Sequence, residues 1–229
     1  MKFKITIISV FLIFFSTVSF AQLGIRAGVN MANELQSFNQ ESIEAAFQSD
    51  NLTGYQVGLV YQINPKKTGV GFEVGALLSQ KGGVFRFDKN EIVNSLIKGY
   101  REINYVEVPL NLRLRVDWGG VVGVYGNAGI YGAYALKGKT VFESDIATLA
   151  KEDTFDSFMD RIDYGYSFGG GVELVKKLQI GAYYSQGLMK RDTNKSILDK
   201  VNTESGGSVP NLKATNTSKV FSISLTYLF

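Results

Sequence analysis

Between Tyr105 and Val116 every even position is Val or Leu, and the odd positions are Tyr, Glu, Pro, Asn, Arg and Arg. Successive side chains of a strand point to opposite sides, so this segment reads as a strand with one apolar and one polar face. The same period of two recurs along the rest of the chain. Leu23, Ile25, Ala27, Val29 and Met31 alternate with Gly24, Arg26, Gly28 and Asn30, and Tyr55 to Ile63 alternates with Gln56, Gly58 and Gln62. Val70 to Leu78 sets Phe72, Val74 and Ala76 against Gly71, Glu73, Gly75 and Ser79, with Leu77 as an apolar intruder on the polar side. Further strands are expected from Val121 to about Leu136, from Tyr164 to Leu174, and from Leu178 to Ser185.

The chain ends on an eighth such stretch. Phe221, Ile223, Leu225, Tyr227 and Phe229 lie opposite Ser222, Ser224 and Thr226. Short turns follow the second, fourth and sixth strands, at 64–69, 117–120 and 175–177. Long polar segments, at about 34–51, 82–104, 137–162 and 187–218, follow the odd ones. Strands joined in sequence as an up-and-down meander then have all short turns at one end and all long loops at the other, which is an eight-stranded antiparallel barrel.

Such a barrel has two polarities. A soluble barrel turns its apolar face inward around a ligand, and a membrane barrel turns it outward to lipid. Three features select the membrane. The polar face is rich in Gly, Ser, Asn and Gln with few lysines, unlike a soluble exterior. Aromatics on the apolar face fall into two belts: Tyr55, Tyr134, Tyr164, Tyr184 and Phe221 towards the long loops, and Tyr61, Phe72, Tyr227 and Phe229 towards the short turns. The loop asymmetry and the even strand number bring both termini to the short-turn side. The last strand then closes against the first, because an open edge in hydrocarbon leaves backbone groups unpaired. Its partner solvent is outer-membrane lipid.

At the start, Met1-Lys2-Phe3-Lys4 precedes an apolar run from Ile5 to Phe20, with Ser19 and Ala21 at the positions expected for cleavage before Gln22. This is the layout of a signal peptide over 1–21, leaving a barrel domain over 22–229 and export to the outer membrane. The chain carries 24 Lys and Arg against 21 Asp and Glu, and without Lys2 and Lys4 the count is 22 against 21. That balance removes the charge argument for a nucleic-acid partner. With no cysteine and no histidine, disulfides, thiolate or imidazole metal sites and Ser-His or Cys-His catalysis are excluded. No cofactor and no enzymatic constellation is expected.

Several segments resemble a known family. Ile103-Asn104-Tyr105-Val106-Glu107-Val108-Pro109-Leu110 resembles the Tyr-Leu-Glu-Ile-Pro-Leu strand of the outer-membrane β-barrel domain family, the porin-family proteins of Gram-negative envelopes. Asp163-Tyr164-Gly165, Phe168 to Leu174 and Tyr183 to Leu188 are similar to that family's closing half. The resemblance implies an eight-stranded barrel whose aromatic carboxyl terminus, Phe229, is read as an assembly signal by the outer-membrane assembly machinery. It implies no single activity, and some relatives are barrel components of the type IX protein-secretion apparatus.

Within the barrel, Arg26, Glu73, Glu107, Arg113, Arg115 and Glu173 are expected to face the lumen, three of each sign. They form either a salt-bridge network that fills a narrow barrel or a selectivity ring for a channel or small-solute transporter. Tyr125, Tyr131 and Tyr183 point the same way, and Pro109 suggests a bulge in the fourth strand. Gly138-Lys139-Thr140 lacks the spacing of a P-loop, and Gly169-Gly170-Gly171 reads as small residues in a coiled strand. Helix-like stretches at Ser42–Phe47 and Asp145–Met159 are candidates for a loop helix or a protein-partner surface. The leading expectation is a non-enzymatic barrel acting through its outer loops in adhesion, assembly or envelope structure.

Overall fold

The computed structural model describes residues 21–38, 47–64, 69–87, 97–144, 148–152, 161–189, 191–192 and 214–229. The signal-peptide expectation lies outside them, apart from Ala21. Eight long strands carry the fold: β1 (Ala21–Phe38), β2 (Leu52–Ile63), β3 (Val70–Phe87), β4 (Ile97–Trp118), β5 (Val122–Ser144), β6 (Ile162–Leu174), β7 (Leu178–Gly187) and β8 (Ala214–Leu228). Each pairs antiparallel with the next, and β1 pairs with β8 from Gly24↔Leu228 to Phe38↔Ala214, so the sheet closes. Phe229 N donates to Leu23 O at 2.9 Å, which ties the final residue into the seam. The expected eight-stranded meander is the observed one.

Closure sets the dimensions. Partners can be followed from Leu23 through Tyr61, Val74, Leu110, Ile130, Tyr166, Gln186 and Lys219, and the path returns to Asn33, ten residues along β1 from its start. Eight strands at ~4.8 Å make a path of ~38 Å and ten residues at ~3.3 Å a slide of ~33 Å, so the strands tilt ~40° and the backbone wall has a radius of ~8 Å. Side chains from opposite walls therefore meet in the middle.

The faces have the membrane polarity. Phe72 is 55% exposed, Leu114 55% and Ile130 62%, while Glu73 and Arg113 on alternate positions of the same strands are fully buried. Leu77, the intruder on the polar side, is buried too.

Three expectations are corrected. β3, β4 and β5 run well beyond their expected ends, through 82–87, 97–104 and 137–144, where polar loops were expected. These parts stand past the apolar band, so nothing requires an apolar outer stripe and the alternation fades. Thr148–Glu152, inside the helix-like stretch, is a strand that pairs with β5 through Val141↔Ala150 and Phe142↔Leu149. An extended neighbouring edge overrides weak helical periodicity there. The rest of that stretch is outside the described residues, as is Ser42–Phe47 except Phe47, which opens a short strand on β3. The bulge lies at Leu136, the residue skipped between Asn104↔Lys137 and Tyr105↔Ala135, rather than at Pro109. Pro109 keeps register with Tyr131, and on its β3 side the register is the same at Val74↔Leu110 and Leu77↔Glu107, although the ladder is interrupted between them at Gly75 and Ala76, where proline offers no N–H.

Candidate functional site

The lumen carries two polar clusters at different heights. Glu73 anchors the one nearer the short turns. Arg26 donates to both its carboxylate oxygens, at 3.1 and 2.7 Å, and Gln62 donates at 2.7 Å. Asn127 adds a bond at 3.1 Å, Asn111 one at 3.3 Å, and Arg113 one at 3.5 Å. Donors from β1, β2, β4 and β5 thus converge on one carboxylate of β3.

A second carboxylate continues the network. Arg115 donates to Glu173 at 3.0 Å through Nε and 2.6 Å through a terminal nitrogen, and Gln179 donates to it at 2.7 Å. Arg113 reaches Glu173 at 3.6 Å, and Gln62 and Gln179 exchange bonds at 3.0 Å between the two carboxylates. The Arg113 guanidinium lies 3.9 Å from the ring centroid of Tyr125, whose hydroxyl is 3.0 Å from that of Tyr183. Burying these charges is tolerable because each one faces its counter-charge.

The tyrosines fit because glycines leave room for them. A Cβ on Gly171 would stand 2.8 Å from the Tyr125 hydroxyl, one on Gly169 2.6 Å from the Tyr183 ring, and one on Gly165 2.8 Å from the Tyr131 ring. Gly169 and Gly171 are therefore seats for aromatic side chains, in addition to being small residues in a coiled strand.

The upper cluster is built around Lys81. It pairs with Glu107, lies 4.0 Å from Asp163, and sits 4.2 Å from the Tyr131 ring centroid and 5.6 Å from that of Tyr105. Tyr131 donates to Asp163 at 3.2 Å. Above it, Ile103, Ala133 and Ala135 are buried with the two tyrosines.

Of the six charges singled out in the sequence, the structure brings Arg26, Glu73, Arg113, Arg115 and Glu173 together and places Glu107 in the other cluster. Lys81 and Asp163 lie outside the alternation that marks the strands in the sequence, which stops at Ser79 and starts at Tyr164, although both continue the inward parity. Gln62 and Gln179 were on the inward face without a role. Among the described residues no group of three or more His, Cys, Asp or Glu is placed to hold a metal.

Outside, all nine belt aromatics lie on the outward face. Tyr55 donates to Asn104 at 3.2 Å, Tyr166 and Tyr184 donate to Gln186 at 2.9 and 3.1 Å, and Arg161 stands 5.9 Å from the Tyr134 ring centroid. At the other end Tyr227 and Phe229 meet edge to face at 5.7 Å. Trp118, expected in the 117–120 turn, lies instead at the foot of β4, where it is 80% exposed and also faces outward.

A closed antiparallel barrel with an apolar exterior and a polar, ion-paired interior is a transmembrane β-barrel. The outer membrane protein beta-barrel domain family matches residues 16–192, and the chain belongs to that family. Its location follows as the outer membrane. Among solved structures it is similar to OprG from Pseudomonas aeruginosa, at 14% identity over 91% of this chain and 96% of that chain with a TM-score of 0.46. It is also similar to Ail, the attachment invasion locus protein of Yersinia pestis, at 15% identity, 91% and 99% coverage and a TM-score of 0.40. Neisserial surface protein A gives 11% identity, 91% and 99% coverage and 0.39. No curated protein sequence matches.

Proposed function

We propose that this barrel is a closed, non-enzymatic base whose activity resides at the long-loop end, in adhesion, assembly or envelope structure, through a protein partner met by the outer loops. The saturation of Glu73 by donors from five residues carries the reading, since a lumen with a wall radius of ~8 Å has no room for a path past such a cluster. A selectivity ring would leave charges facing water, whereas Arg26, Glu73, Arg113 and Glu173 are all buried. The test is conductance in planar bilayers. The wild-type barrel, shown folded by a heat-modifiable gel band, is expected to stay silent, and stepwise openings would replace this reading with that of a narrow channel. Shortening the segment between β7 and β8 is expected to leave the heat-modifiable band intact.

Phe229 is read here as the assembly signal. Phe229→Ala is expected to reduce assembled protein in cells while refolding in detergent proceeds. Equal loss in both settings would make Phe229 a packing residue instead.

A further inference from the structure

The apolar exterior is longer on one side of the barrel than on the other. On β8 it runs from Phe221 to Phe229, eight residue steps, and on β4 from Val106 to Trp118, twelve steps. At a rise of ~2.5 Å per residue along the axis of strands tilted ~40°, these are ~20 Å and ~30 Å. The excess lies at the short-turn end. Trp118 shares a ladder rung with Tyr227, through Val122, Leu174 and Leu178. Four strands along such a rung climb ~12 Å, so Trp118 stands ~12 Å below Tyr227 and ~7 Å below Phe229, where the opposite stripe ends.

Around Trp118 the two neighbouring turns form one unit. Val175 N donates to Val121 O at 2.7 Å, joining the β6–β7 turn to the β4–β5 turn. Val116, Trp118, Val121 and Val175 are 68%, 80%, 58% and 62% exposed, a continuous apolar foot below the hydrocarbon band. Val175 and Lys176 have φ of 47° and 60°, and a β-branched residue in that region is an outlier. Lys176 and Lys177 are exposed beside it. The acids at the adjoining strand ends are already engaged, Asp117 with Arg115 at 2.5 Å and Glu173 with Arg115 and Gln179.

We infer that this foot, Val116, Trp118, Val121 and Val175 with Lys176 and Lys177, is a lipid-binding site seated in the headgroup layer of the leaflet at the short-turn side, and that it prefers anionic phospholipid. Two features argue for lipid as the occupant. The foot is continuous with the lipid-facing surface of β4 and β5, and a tryptophan at the end of an apolar band beside lysines matches the chemistry of that layer. The inference rests on the membrane barrel and is independent of what the long-loop end binds.

Trp118 is the chain's one tryptophan, so its emission reports the foot alone. The full protein is refolded into phosphatidylcholine vesicles with and without phosphatidylglycerol, with the heat-modifiable band as the control for folding. Trp118 emission is expected to be blue-shifted, quenched by lipid labelled near the headgroup, and protected from aqueous iodide. Spin-labelled phosphatidylglycerol should quench it at a several-fold lower mole fraction than spin-labelled phosphatidylcholine. Lys176→Gln with Lys177→Gln should abolish that preference while leaving the blue shift. Iodide quenching of a folded barrel to the extent seen for free indole would overturn the site and leave the foot to a periplasmic protein. Equal quenching by the two lipids would overturn the anionic preference.

Discussion

The two ends of the lumen solve the same problem in different ways. Near the short turns, Glu73 is held by amide and guanidinium donors from four neighbouring strands, and its replacement would leave buried Arg26 without a counter-charge and Arg113 with Glu173 alone. Near the long loops, one flexible lysine stands between Glu107 and Asp163 and is cushioned by tyrosine rings. A rigid carboxylate with many fixed donors is an all-or-none arrangement, whereas a lysine tail can move and its neighbours can take up slack. Stability is therefore expected to concentrate at the Glu73 end.

The sharpest way to break this contrast is Glu73→Ala. Arg26 left without a counter-charge, and Arg113 left to Glu173 alone, should cost roughly 3–5 kcal/mol, seen as a large fall in the urea midpoint of the heat-modifiable form or as failure to refold. A midpoint unchanged from wild type would show that the network contributes little. Glu107→Gln should have a smaller effect, about 1–3 kcal/mol, because its partner Lys81 keeps Asp163 and the Tyr131 ring. That variant should remain silent in planar bilayers, and openings with unchanged stability would turn the upper cluster into a gate. Tyr125→Phe removes one hydroxyl contact with Tyr183 and leaves the Arg113 stack, so a loss of about 1 kcal/mol in the same unfolding measurement is expected. The smallest change has the opposite sign. Val175→Gly relieves a left-handed β-branched residue and should raise the midpoint by up to ~1 kcal/mol, whereas a fall would mean that the valine side chain is held by contacts of its own.

How much of this was legible in the sequence depends on which solvent each residue meets. Between Tyr105 and Val116 lipid imposes a strict apolar stripe, and the strand could be read residue by residue. In 82–87, 97–104 and 137–144, where β3, β4 and β5 continue above the lipid, the stripe has no physical cause and the pattern resembles that of polar loops. Lys81 and Asp163 stand just outside the clear alternation, which stops at Ser79 in β3 and starts at Tyr164 in β6. Thr148–Glu152 carried a helical hint that only the exposed edge of β5 overruled.

Alternation, belts and the alternating loop lengths were sufficient to determine an eight-stranded membrane barrel and, within the lipid-facing stretches, which side chains point inward, because both follow from local parity and from the demand that hydrocarbon meet apolar atoms. Which inward charges meet is another matter. Arg26 reaches Glu73 and misses Glu107 because closure slides the sheet by ten residues around the barrel. That stagger is a property of all eight pairings together, and no single strand encodes it. Tertiary structure alone decided that five of the charges would share one network, that Glu107 would pair with Lys81 instead, and that Trp118 would hang below the opposite belt.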